Sequence, residues 1–148
     1  MSIRKILVAV DGSKPSFSAS TYAIDLAKTY DAELIILDII SPFLPYSHLE
    51  YANVGRMKEI ETMEKEKALQ KVVDKVKQKA IEKKVSVKTD VLIKYTSVVK
   101  EIVEYAEKKK VDMIVIGSRG LAGFKKLLLG SVASGVVTYS HCPVLVVK

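Results

Sequence analysis

With 148 residues, 49% of them hydrophobic and 28% charged, the chain is long enough for one domain with a proper core and too apolar to be disordered. Its single cysteine, Cys142, excludes an internal disulfide and fits a reducing cytoplasm, and no apolar run approaches the roughly 20 residues of a membrane span. The net charge of +7 favours anionic ligands, but nothing in the chain pairs a basic patch with aromatics or a reading helix, which disfavours a nucleic-acid partner.

The opening residues, MSIRKILVAVDGS, hold a short apolar run that Asp11 ends, with no small-residue cleavage site after it. Lys5–Val10 is therefore expected to be a first strand and not part of a secretory signal. Ser16–Tyr30 follows with Ala19, Tyr22, Ala23, Leu26 and Ala27 at three- and four-residue spacing, a helical stripe. Glu33–Ile40 (ELIILDII) is a second buried strand, in which Asp38 reads as a hydrogen-bonded strand residue. Ser41 to about Gly55 is irregular, with two prolines and three aromatics. A long stretch of alternating charge then places Ile60, Met63, Val72, Val73, Val76 and Ala80 on one helical stripe.

Ser86–Ile93 alternates in polarity, as a strand with one wetter face at a sheet edge does. Val98–Lys110 is a third helix, facing inward through Ile102, Val103 and Ala106. Met113–Ile116 is a short Val/Ile strand. Ser131–Ser140 is a fourth helix, with Val132, Val136 and Val137 as its apolar positions, and Val144–Val147 is a last strand. The order βαβαβαβαβ implies a doubly wound, open, parallel five-stranded sheet with helices on both faces, a Rossmann-like α/β class. Alternation alone leaves the strand order open between 3-2-1-4-5 and 2-1-3-4-5. In either, ligands bind beyond the carboxyl ends of the strands, where the order reverses.

That edge is where glycine concentrates. Residues 117–135, GSRGLAGFKKLLLGSVASG, hold five of the chain's seven glycines. Gly117 follows a strand and Gly130 precedes a helix whose first residue is Ser131. Bare backbone at 117 and 120 would let N–H groups approach an anion, and a helix start offers unpaired N–H groups and the positive end of its dipole. Neither a P-loop nor a dinucleotide G-x-G-x-x-G is present. From chemistry alone, a phosphate loop and a long turn with an ordinary N-cap serine both remain open.

The pattern Gly117-x2-Gly120-x9-Gly130-Ser131 resembles the nucleotide-binding signature of the universal stress protein family, G-x2-G-x9-G-[ST]. The resemblance runs the length of the chain in family order, through KILVAVDGS, VDMIVIGSRG, LLLGSVASGVV and HCPVLVVK. It implies one nucleotide-binding domain over residues 1–148, a sheet of order 3-2-1-4-5, and ATP with Mg²⁺ as ligand. It also implies site residues. Gly117, Gly120, Gly130, Ser131 and Val132 match phosphate and ribose contacts. Asp11 matches an acid near the ribose and the metal-bound phosphates. Ala9 and Ile39 match backbone that lines an adenine pocket, and Arg119 sits where members bring Arg or His to the loop. Val10 and Ser118 complete the expected set. Tyr95-Thr96-Ser97 departs from the family, many members of which carry glycine and often proline there.

No metal site of protein ligands alone is expected. His48 and His141 stand apart, and Asp11 would lie near a phosphate-bound Mg²⁺. Asp11 has a second reading, as the cap of the turn DGSK. Cys142 reads as a packed thiol, and Lys125 and Lys126 as a solvated loop face. No general base and no catalytic residue is evident, so ATPase activity is at most weak. The function the resemblance implies is an ATP-binding, cytoplasmic stress protein that acts as a nucleotide-dependent switch. Its alternatives are a slow ATP hydrolase and a member that works through protein contacts without nucleotide. The apolar last strand, at a sheet edge in the 3-2-1-4-5 order, is expected to pair in a homodimer, a mode the resemblance implies too.

Overall fold

The computed structural model describes residues 2–41, 52–119 and 129–148, of 52–59 and 62 the backbone only. Nine elements follow one another: β1 (Lys5–Ala9), α1 (Lys14–Tyr30), β2 (Glu33–Ile40), α2 (Ala52–Glu82), β3 (Val87–Ile93), α3 (Val98–Lys108), β4 (Met113–Gly117), α4 (Ser131–Tyr139) and β5 (Val144–Val147). The strands form one parallel sheet in the order β3-β2-β1-β4-β5. Of the two orders left open by alternation, the first is the one formed, and β1 and β4 flank the point where the chain reverses its direction of winding.

Period-two alternation divides the central strands between two cores. Ile6, Val8, Leu34 and Ile36 pack against Ala19, Ala23 and Ala27 of α1 and Val73, Val76 and Ala80 of α2. Leu7, Ile35 and Leu37 pack against Ile102 and Ala106 of α3 and Ala133 and Val136 of α4. Both faces being covered explains the near-continuous Val/Ile/Leu runs. Edge strand β3 is only half-buried along most of its length, as its alternation predicted.

Four residues assigned to helical stripes lie outside the core. Ile60 and Met63 are 57% and 56% exposed. The 31 residues of α2 span about 46 Å at ~1.5 Å per residue, whereas the eight of β2 cover about 26 Å, so the amino-terminal part of α2 overruns the sheet. Tyr22 flanks its stripe and points outward, and Val137 is turned roughly 100° from buried Val136.

α1, α2 and α3 end in one way. Asp31, Lys84 and Lys110 have φ of 52°, 60° and 55°. After each, the N–H of a buried residue returns to the last turn: Ala32 to Ala27 O at 2.8 Å, Val85 to Ala80 O at 3.0 Å, Val111 to Ala106 O at 2.9 Å. These are left-handed C-caps that turn each helix into the next strand, made here without glycine. The start of β4 is clasped to β1 by Asp112, whose Oδ2 accepts the N–H groups of Arg4 and Lys5 at 2.8 and 2.9 Å.

Candidate functional site

The carboxyl ends of β1, β2 and β4 and the first turn of α4 meet at one edge of the sheet. β1 leaves it through Val10, whose N–H donates to Leu37 O at 2.9 Å, holding its exit against β2. Asp11 then closes a tight turn: its Oδ1 accepts the Ser13 N–H at 2.9 Å, and Gly12 takes a φ of 85°. Ser13 caps α1, accepting the Ser16 N–H at 3.3 Å, and Pro15 occupies the first turn, where a missing N–H costs nothing. The capping reading of Asp11 therefore holds for one carboxylate oxygen.

On the other side of the reversal, the exit of β4 is fixed by three contacts. The Ser118 N–H donates to Val147 O at 2.7 Å, and Ser118 O accepts the Gly130 N–H at 2.7 Å. The Ser13 hydroxyl reaches Arg119 O at 3.4 Å, joining the two turns across the reversal. Gly117 is a glycine for packing: an added Cβ would lie 2.7 Å from the carbonyl carbon of Pro15. At Gly130 it would lie 3.0 Å from Ser118 O.

α4 begins differently from α1 and α3, whose N-terminal amides are capped by Ser13 and Ser97. Gly130 is its N-cap residue, with no side-chain cap, and the first intrahelical bond runs from Ser134 N–H to Gly130 O. The N–H groups of Ser131, Val132 and Ala133 have no intrahelical acceptor. The Gly130 N–H is spent on Ser118 O, so the unpaired donors at this helix start begin at Ser131.

The structure thus brings Ala9, Val10, Asp11, Ile39, Gly117, Ser118, Arg119, Gly130, Ser131 and Val132 to one edge. Gly120, Lys125, Lys126 and His48 lie outside the described residues, as do positions 42–51 of the irregular segment. The departing Tyr95-Thr96-Ser97 serves α3: Ser97 accepts the Lys100 N–H at 3.5 Å, and the Thr96 hydroxyl bonds Glu101. Cys142 is half-buried, and burial together with the charge of Asp112 pushes its thiol up, away from nucleophilic use. His141 Nε2 sits 3.0 Å from Val111 O. Among the described residues no group of three or more His, Cys, Asp or Glu side chains could hold a metal ion.

Asp38 meets its expectation in part: it lies within β2 and takes a backbone hydrogen bond from Ile39, but it is 2% exposed and its Oδ2 has no hydrogen-bond partner among the described residues. Burial raises its carboxyl to about 7; a backbone hydrogen bond from Ile39 opposes this and the charge of Asp11 adds to it. An acidic residue within an apolar strand run was the only signal, and strand periodicity does not say whether a partner will be near.

A sequence model of the universal stress protein family matches residues 2–148. A universal stress protein of Methanocaldococcus jannaschii is 42% identical over 98% of this chain and 82% of its own length, and one of Bacillus subtilis is 37% identical over 97% and 98%. Among solved structures, a universal stress protein from Lactobacillus plantarum superposes with a TM-score of 0.87 at 22% identity, over 100% of this chain and 99% of its own. One from Archaeoglobus fulgidus in complex with dAMP gives 0.64 at 19% identity, with both chains covered at 100%. One from Arabidopsis thaliana with AMP bound gives 0.66 at 18%, covering 98% of this chain and 91% of its own. At these identities the structural likeness establishes the fold.

Proposed function

The chain belongs to the universal stress protein family, and on that premise we propose that it binds ATP with Mg²⁺ at the β1–β4 edge and acts as a nucleotide-dependent switch in the stress response. The carrying observation is the uncapped start of α4, whose first-turn N–H groups and dipole suit an anion in a protein of charge +7. The AMP and dAMP held by two of the structural relatives support an adenine nucleotide as that anion.

The N–H groups of Ser131 and Val132 and the Ser131 hydroxyl bind phosphate, with Gly120 and Arg119 on the preceding loop. Gly117, Ser118 and Gly130 shape that loop rather than donate to the ligand. Backbone at Ala9, Val10 and Ile39 lines the adenine side, and Asp11 lies near the ribose. Mg²⁺ rides on the phosphates, whose charge it offsets beside Asp11.

The protein is one nucleotide-binding domain, cytoplasmic, and homodimeric through β5. No helix among the described residues is long and apolar enough to cross a membrane. Isothermal calorimetry with Mg-ATP, ADP and AMP tests the reading. Micromolar-range ATP binding is the expected result, and no heat and no thermal shift at millimolar Mg-ATP would remove it.

A further inference from the structure

Asp38 lies on β2 next to the β1–β4 edge and has no role in the contacts above. Its strand neighbours place it. The Val10 N–H binds the carbonyl of Leu37, the residue before it, and Val91 of β3 is its register partner on the other side. Alternation from Ile36 puts its side chain on the face covered by α1 and α2. The described groups on that face are nearly all uncharged. β3 contributes Val91, while the neighbouring Asp90 is bonded by the Tyr105 hydroxyl at 3.2 Å, with α3 on the opposite face. α1 contributes Ser16 and Phe17, and α2 contributes Val72 and Val73. The ammonium of Lys75 on α2 is placed over the Phe17 ring, 5.2 Å from its centroid. No described salt bridge includes Asp38. The one charge felt from β1 is Asp11, of the same sign.

A buried carboxylate with one oxygen unpartnered among the described residues and a like charge beside it resolves the conflict by holding its proton. We propose that Asp38 is a proton-operated control on the anion site: protonated, it leaves Asp11 as the one described negative charge near the ligand; ionised, it adds another and weakens binding. The control acts at physiological pH because burial, aided by Asp11, raises the carboxyl to about 7. Binding is therefore stronger below this value and weaker above it. By linkage, a bound anion raises the Asp38 midpoint further. The inference rests on the nucleotide reading and specifies how that same site is regulated.

Two measurements test it on the whole protein. The first is ligand-free: the ¹³C-carboxyl resonances of labelled aspartate are followed from pH 4 to 9, with Asp38 assigned by its loss in Asp38→Asn. A midpoint near neutrality that falls in Asp11→Asn is expected. A midpoint in the ordinary carboxylate range overturns the proposal. The second is the affinity for Mg-ATP at pH 6 and pH 8 in the parent and in Asp38→Asn. The titration of ATP itself is common to both proteins and cancels in the ratio of their affinities. One added charge beside Asp11, in a medium of intermediate dielectric, should weaken the parent by about two- to tenfold relative to Asp38→Asn. An unchanged ratio overturns the control even if Asp38 titrates near neutrality. Absence of ATP binding by both proteins at both pH values overturns the nucleotide reading, and the control with it, while the carboxyl titration still reports whether Asp38 holds its proton. Should Asp38→Asn fail to fold, the Asp11→Asn shift carries the test alone: if the pH-sensitive resonance does not move, the proposal fails.

Discussion

Gly117 and Pro15 meet so closely that an added Cβ on the glycine would sit 2.7 Å from the proline's carbonyl carbon and 2.9 Å from its oxygen. The end of β4 therefore lies against the first turn of α1, and the obstacle is backbone, which cannot rotate away. Gly117→Ala should destabilise the fold by about 2 kcal/mol or more, since overpacking against a fixed neighbour forces the helix start to move. Urea unfolding measures it. A loss below about 0.5 kcal/mol would mean that α1 shifts freely and that phosphate access alone explains the glycine.

Ser131→Pro separates the site from the scaffold. Proline at the first helical position has a suitable φ and lacks an N–H the helix does not use. The preceding Gly130, at φ −56° and ψ 155°, is already in the extended region that a following proline demands. The variant should keep its stability but lose one N–H donor and a hydroxyl, weakening ATP binding about tenfold, or ~1.4 kcal/mol by calorimetry. Parent-like affinity would place the phosphate elsewhere. Gly130→Val is a poorer probe, because its Cβ would crowd Ser118 O at 3.0 Å and disturb the loop itself.

Lys84→Gly should stabilise the protein. Lys84 holds a φ of 60°, a region that costs side-chain-bearing residues about 1 kcal/mol or more. Glycine removes that cost but loses more entropy on folding, leaving a net gain of about 0.5 kcal/mol. The transition midpoint in chemical denaturation should rise, and the same holds for Lys110→Gly.

The pH dependence of stability has a sign set by Asp38. Its carboxyl is raised, by burial first, from 3.8 to about 7. Between those values the native state keeps a proton that the unfolded chain has lost. The contribution is complete below the unfolded value and disappears as pH rises through the folded one. The parent should lose up to about 4 kcal/mol from pH 4 to pH 7 on this account. Asp38→Asn should lack that slope in unfolding curves taken across the range.

β5 presents an open edge. Pro143 O and Val147 O accept the N–H groups of Ile114 and Ser118 on β4, so alternation turns the backbone groups of Val144 and Val146 away from the sheet. A two-fold partner strand would use those groups. Light scattering should give about twice the 16.4 kDa chain mass, and Val146→Pro should return the monomer mass without touching the β4–β5 ladder. A parent protein of monomer mass at tens of micromolar would exclude the pairing.

The element order, the two-sided burial of the central strands and the family were legible in the sequence because they depend on local pattern: Val/Ile runs, helical spacing, and glycines at fixed intervals around Ser131. Strand order was not legible from alternation, since 3-2-1-4-5 and 2-1-3-4-5 use the same segments, and only pairing across the sheet or the family pattern separates them. The site showed a similar division. Its loops could be named in advance, but not that Gly117 is held by Pro15 or that the Gly130 N–H is taken by Ser118, because those contacts join residues far apart in the chain. Nor could the overrun of α2 be read from Ile60 and Met63, whose spacing fits a core stripe. Asp38 shows the physical reason most directly. A strand pattern specifies which face a side chain takes, whereas the charge it carries depends on every group the tertiary fold brings to that face, and here no described salt bridge includes Asp38.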